Sequence, residues 1–190
     1  MRKTVYLIAA ASVCLTAACI YLYRILKADA AYTFAVTFGT TAYHFLMRLA
    51  VGGTVNACMK NHADYTKSRY QCRSWETRLY KRLQVKHWKH RLPTFQPDLF
   101  DPKKHSWDEI VQAMCQAELV HEIIVILSFL PVGFAHWFGA LPVFMITSLL
   151  AALTDLSFVI LQRYNRPRII RLMQKENTGR TQHAKCPKAE

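Results

Sequence analysis

LVHEIIVILSFLPVGFAHWFGALPVFMITSLLAALTDLSFVIL, residues 119–161, decides the fold. After an opening His121-Glu122 the run is apolar to Trp137, and residues 138–161 hold one ionisable side chain, Asp155. Lysine and arginine are absent throughout. Two consecutive blocks of about 20 apolar residues each match the roughly 30 Å hydrocarbon layer of a bilayer. The stretch therefore predicts two transmembrane helices joined by a tight turn near residues 137–140.

Two earlier blocks have the same character. Residues 5–23 carry no charge, and residues 30–51 carry only His44 and Arg48, both near the end. Arg2-Lys3 ahead of the first block resembles a signal peptide. Its apolar run is longer than a signal core, however, and Tyr21, Tyr23 and Arg24 make an interfacial anchor, so a retained helix is expected. The fold class predicted is an all-α membrane protein: about four transmembrane helices, 5–23, 30–51, 119–137 and 138–161, with a cytosolic insertion 52–118 between helices two and three. A basic tail, 162–190, completes one membrane domain.

Charge sets the orientation. The chain has 25 Lys+Arg against 12 Asp+Glu while 52% of it is hydrophobic, and the two populations occupy different segments. Segment 52–118 holds twelve of the basic residues and the stretch from Arg163 onward holds eight. Lys and Arg collect on cytoplasmic segments, so both termini and the long insertion are expected in the cytosol. Topology and attraction to anionic lipid account for the basic excess, and no nucleic-acid partner is expected. The six cysteines (14, 19, 58, 72, 115 and 186) show no CxxC spacing, so neither a disulfide framework nor a zinc site is implied.

Within the insertion, residues 65–91 read as one basic amphipathic helix, with Tyr70, Trp75, Leu79, Leu83, Lys86 and Trp88 at three-to-four spacing. Leu92-Pro93 stops it, and Pro97 and Pro102 hold the next stretch in a loop. Ser106 and Glu109 form a capping box from which a helix runs unbroken into the third span. The last twenty residues read as a frayed tail.

Ionisable groups in membrane helices are expensive and mark function. Glu118, His121 and Glu122 share one helical face. His44 and Arg48 stand one turn apart at the cytosolic end of helix two, and Asp155, Gln162 and Arg163 make a stripe on helix four. All three sets reach one layer at the cytosolic mouth of the bundle. Glu118 is expected to hold the His121 imidazole in its reactive tautomer, ready to take a proton from a hydroxyl. Pro167 is expected to break helix four and splay Arg163, Arg166 and Arg168, whose forks suit phosphate. Lys86-His87-Trp88-Lys89-His90-Arg91 adds a second basic cluster. A single E-x-x-H, where di-iron bundles use two, argues against a metal, and no cofactor is expected.

Three motifs, Val85-Lys86-x-Trp88-Lys89 with Leu92-Pro93, Ala117-Glu118-x-x-His121, and Gln162-Arg163-Tyr164-Asn165-Arg166-Pro167-Arg168, occur in an order and spacing that resemble the glycosyl-4,4'-diaponeurosporenoate acyltransferase family of bacterial carotenoid biosynthesis. The resemblance spans roughly residues 75–172. It implies transfer of a fatty acyl group from a donor, acyl-CoA or acyl carrier protein, to a sugar hydroxyl of a glycosylated carotenoid carboxylate at the bacterial cytoplasmic membrane. On that reading the catalytic residues are His121, Glu118 and Asn165, with Asn165 donating to the oxyanion. Arg163, Arg166, Arg168, Gln162, Trp88, Lys89, His44, Arg48 and Asp155 bind substrates. The partners are the acyl donor, a lipid or glycolipid acceptor and membrane lipids. The other class the residues allow is a non-catalytic membrane module binding anionic lipid or a partner enzyme. A transporter is disfavoured, because the outer half of the bundle offers no polar path.

Overall fold

In an apolar stretch the helix is the one element that satisfies each N–H and C=O within its own segment, and every long apolar block of the chain folds that way. The structure, a computed structural model, describes residues 2–93 and 95–184. In chain order the helices are α1 (Arg2–Leu26), α2 (Asp29–Met59), α3 (Ser74–Arg82), α4 (Val85–Trp88), α5 (Trp107–Leu127), α6 (Leu130–Gly133), α7 (Ala135–Phe138) and α8 (Leu141–Ala184). No strand occurs among the described residues.

Side-chain bonds fix the register of the bundle. α2 and α5 run antiparallel: the Tyr43 hydroxyl donates to the Leu127 carbonyl at 2.9 Å, and Gln116 Nε2 donates to Asn56 Oδ1 at 3.2 Å. α2 and α8 run parallel: the Tyr32 hydroxyl donates to the Phe138 carbonyl at 3.0 Å, and Arg48 donates to the Ala151 carbonyl at 3.4 Å. α5 and α8 are antiparallel and pack extensively, and α1 packs mainly on α2. The α1–α2 seam is built of small residues. Ala9 and Ser12 are buried, and a Cβ on Gly39 would stand 3.5 Å from Thr16 Cγ2.

Three helical stretches, Lys3–Leu26, Trp107–Phe138 and Leu141–Glu176, are long and apolar enough to cross a membrane. Their outward faces stay apolar; Ile126 and Trp137, for example, are 73% and 72% exposed. Large contiguous apolar surface of this kind is uncommon on soluble monomers. The described residues are all-helical, and three of the helices are long and apolar enough to span a membrane. Four spans were expected, and α2 falls short of the other three because Thr33, Thr37, Thr40 and Thr41, with His44 and Arg48, dilute its apolar content. Each threonine hydroxyl donates to the carbonyl four residues back, at 2.7–3.2 Å, so α2 presents few unsatisfied groups.

Two local expectations hold and three are corrected. The Ser106–Glu109 capping box is formed in both directions, and α5 runs unbroken from Trp107. The amphipathic helix expected over 65–91 is instead a series of short pieces: a 3-10 turn Ser68–Tyr70, then α3, α4 and a second 3-10 turn Lys89–Arg91. Gln84, at φ 49°, takes the left-handed region between α3 and α4, and the turn lets α3 face α8. Pro167 does not break α8, which continues to Ala184. A proline removes one intrahelical bond and crowds the previous turn, and here ion pairs of Arg163 and Arg166 pin the turns around it. The tail expected to fray is helical to Ala184, while residues 185–190, with Cys186, lie outside the described residues.

Candidate active site

The first polar cluster joins α2, α5 and α8. His121, half-buried on α5, places Nδ1 2.8 Å from Oδ1 of Asp155, which is 1% exposed on α8. A carboxylate only accepts hydrogen bonds, so Nδ1 carries the proton that faces Asp155. The Asp155 Oδ2 is paired with Arg48 from α2, whose other terminal nitrogen donates to the His44 carbonyl at 3.2 Å. Phe158, one turn after Asp155, stacks on the imidazole with centroids 4.7 Å apart and planes 14° apart. Ring plane and tautomer are both fixed. Arg48 offsets the buried charge of Asp155, as a carboxylate shielded from water requires.

The second cluster lies further toward the α5 N-terminus. Glu118, fully buried, is shared by Arg163 Nη1 at 2.6 Å and by Arg166. Arg163 also forks onto Glu76 of α3 at 2.7 and 2.9 Å and donates to the carbonyls of Arg69 and Gln71. Arg166, 1% exposed, donates to the Tyr70 carbonyl at 2.6 Å and lies over the Tyr70 ring. Two arginines thus hold three successive carbonyls of the segment 69–71 down on α5 and α8, and Arg69 itself pairs with Glu122. Two carboxylates face two guanidiniums, so this cluster is neutral.

Glu76 receives the Tyr80 hydroxyl at 2.7 Å as well. Burial by itself would push the Glu76 carboxyl up, but the hydrogen bonds from Arg163 and Tyr80 outweigh it and hold it below the usual glutamate range. Burial, then the bond to Glu76, pushes the Tyr80 phenol up, so it stays protonated and donating.

A third group lies beyond Arg166. Arg168 is stacked over the Tyr164 ring at 3.9 Å and donates to its hydroxyl at 2.6 Å. Lys89 Nζ sits over the same ring at 5.5 Å and donates to Asn165 Oδ1 at 3.4 Å. Among the described residues neither cation pairs with a carboxylate, whereas Arg48, Arg69, Arg163 and Arg166 all do.

The residues expected at the site therefore divide. His121, Asp155 and Arg48 meet directly, with His44 buried one turn along α2. Glu118 is not the partner of His121, although the two share a face; the antiparallel register carries Asp155 to the imidazole and the arginines to Glu118. Gln162 is half-buried between the clusters. Trp88 donates its indole N–H to the Leu83 carbonyl at 2.8 Å and caps the α3–α4 turn. Asn165 stands seven residues along α8 from Phe158 and ten from Asp155, the two residues His121 touches, roughly 10–15 Å at 1.5 Å per residue. Glu76 and Tyr80 were missed. The signal for Glu76 is that it is the one acid between Asp64 and Asp98 in a run of cations. Among the described residues no three His, Cys, Asp or Glu side chains converge as a metal site requires.

Residues 66–175, more than half of the chain, match the family model described as glycosyl-4,4'-diaponeurosporenoate acyltransferase. The matched stretch contains all three clusters except Arg48 and His44. No curated protein and no solved structure matches the chain.

Proposed function

We propose that this chain, which belongs to the glycosyl-4,4'-diaponeurosporenoate acyltransferase family, transfers a fatty acyl group to a sugar hydroxyl of a glycosylated carotenoid carboxylate, with His121 as general base. The observation that carries the reading is the His121–Asp155 contact: a half-exposed imidazole with its tautomer set by a buried carboxylate, and that carboxylate held by Arg48. An aspartate in this position orients the ring and stabilises the imidazolium without itself being protonated.

In the step proposed, His121 Nε2 takes the hydroxyl proton as the sugar oxygen attacks the thioester carbonyl of the donor. The carbon–sulfur bond breaks, a new ester forms, and the imidazolium returns its proton to the thiolate. No G-x-S-x-G elbow is present in the sequence, so direct transfer is preferred to a serine acyl-enzyme.

Other roles follow from the partners each residue has. Lys89 and Arg168, held by Tyr164 and Asn165, receive the phosphate of the donor, whether acyl-CoA or acyl carrier protein. Asn165, whose oxygen is taken by Lys89, positions that cation and lies too far along α8 to serve an oxyanion at His121. Glu118, Arg163 and Arg166 hold the 69–71 segment in place, a structural duty in place of the catalytic and phosphate-binding ones expected of them. In the membrane, α1, α2, α5 with α6 and α7, and α8 make four spans, with both termini and segment 60–106 in the cytosol. The hydrocarbon of the acceptor lies among the helices and its sugar at the polar mouth.

The test is lipid and pigment mass spectrometry of cells supplied with a glycosylated carotenoid carboxylate and expressing wild type or His121→Ala. An acylated product made only by the wild type supports the reading. Identical profiles with both proteins in the membrane would leave the non-catalytic module in its place.

A further inference from the structure

Among the described residues, two buried polar side chains have no hydrogen-bond partner at any side-chain nitrogen or oxygen: His44 on α2, 4% exposed, and Ser148 on α8, fully buried. They stand at the same level of the bundle. Tyr32 bonds to Phe138, at the end of α7 just before α8, and Arg48 to Ala151 and Asp155 of α8, and that parallel register sets residue 44 against residues 147–151. Serines and threonines elsewhere in these helices, such as Thr40, Ser128 and Thr147, bond back to their own helix. Ser148 does not. A buried polar group left unpaired costs free energy that a pair of apolar residues would not, and in a bilayer-spanning bundle water offers no easy relief.

The level matters. By the α2–α5 register His121 stands opposite residues 49–51, so His44 lies five to seven residues deeper, roughly 8–10 Å along the bundle. It lies on the far side of His121 from Arg168 and Lys89. His44, Arg48 and Gly52 form one stripe on α2, and a Cβ on Gly52, at the C-terminal end of that stripe, would meet nothing within 4 Å.

Resting on the acyl-transfer reading, we propose that His44 and Ser148 form an acceptor subsite that donates hydrogen bonds to the ester carbonyl joining the sugar to its apolar chain. A glycosyl ester carries that carbonyl on the hydrocarbon side of the sugar, about one hexose away from a distal hydroxyl. With the hydroxyl at His121, the carbonyl falls at the level of His44. The donor's thioester carbonyl is excluded from this place because it must meet the attacked hydroxyl beside His121.

The experiment measures binding of two probes, 1-O-palmitoyl-glucose and its ether analogue 1-O-hexadecyl-glucoside, to the purified full chain in nanodiscs. Wild type is expected to bind the ester about tenfold tighter than the ether, the worth of a neutral hydrogen bond. Ser148→Ala and His44→Leu are each expected to reduce that preference, and the double variant to bind both probes equally, with thermal stability of the free protein unchanged or raised. Ser148→Ala changes the packing least and decides the matter should His44→Leu fail to fold. An ester preference undiminished in Ser148→Ala, or absent from wild type, overturns the subsite and leaves these groups to a buried water only. Because the readout is binding, an intact ester preference in a protein that transfers no acyl group contradicts the catalytic reading and not this one.

Discussion

His121 on α5 and Asp155 on α8 are 34 residues apart in sequence and 2.8 Å apart in space, Nδ1 to Oδ1. Neither helix alone defines the pair. It exists because α5 and α8 are antiparallel in a register that also brings Glu118 to Arg163 and Arg166. A slip of one turn between these helices would break both clusters together, so the buried charges specify the alignment of the bundle that the apolar residues merely drive.

The first prediction concerns that alignment. Glu118→Gln leaves Arg166 buried without its carboxylate, and breaking one partner of a buried pair costs about 3–5 kcal/mol. Thermal unfolding of the detergent-solubilised protein should drop sharply, while Glu118→Leu combined with Arg166→Leu should recover much of the loss. A single substitution as stable as wild type contradicts the described network.

Acid should loosen the 69–71 segment. The Glu76 carboxyl sits below the usual glutamate value, about 4.3, because of Arg163 and Tyr80. A carboxylate with a depressed folded pKa gives stability that is present above its unfolded pKa and is lost as pH falls through the folded one. Limited proteolysis within residues 60–93 should therefore stay constant from pH 7 to about 5 and accelerate below about pH 4. Glu76→Gln should be cleaved fast at every pH. A wild-type profile flat to pH 3 argues against the tie.

Much of this arrangement is legible in the sequence, and the rest is hidden for physical reasons. Apolar length marks α1, α5 and α8, and Ser106 with Glu109 marks where α5 begins. Asp155, alone in its apolar block, signals that a partner must come from another helix, yet sequence cannot say which. The i,i+3 spacing of Glu118 and His121 places them on one face but does not make them a pair, since cross-helix register decides each partner. Residues 65–91 have helical periodicity, but the left-handed turn at Gln84 and the pull of Arg163 on Glu76 re-aim α3 toward α8. Pro167 leaves α8 continuous because the tertiary ion pairs of Arg163 and Arg166 outweigh the one intrahelical bond it removes.

Donor binding should depend on Lys89 and Arg168. Each charged contact to a phosphate is worth about 1.5–3 kcal/mol, so Lys89→Gln or Arg168→Gln should raise the donor KM roughly ten- to a hundredfold with kcat little changed. Added salt should weaken donor binding to wild type more than to either variant. An unchanged donor KM in both variants places the phosphate elsewhere.

Four spans with cytosolic termini predict one labelling pattern. Cys72 is exposed in the segment between α2 and α3, so a membrane-impermeant maleimide should leave it unlabelled in intact cells and label it after permeabilisation. Labelling in intact cells would invert the bundle and remove the mouth from cytosolic acyl donors.

The central claim is that His121, oriented by Asp155, removes the proton from the acceptor hydroxyl. The direct measurement is kcat and acceptor KM for acyl transfer by the purified chain, comparing wild type with His121→Gln and Asp155→Asn. General-base catalysis contributes about 10²–10⁴-fold, and losing the carboxylate that sets the tautomer costs on a similar scale. Both variants should lose kcat by about that factor, with acceptor KM within a few-fold of wild type. A kcat that survives in His121→Gln, in a protein shown to be folded and membrane-inserted, contradicts the account.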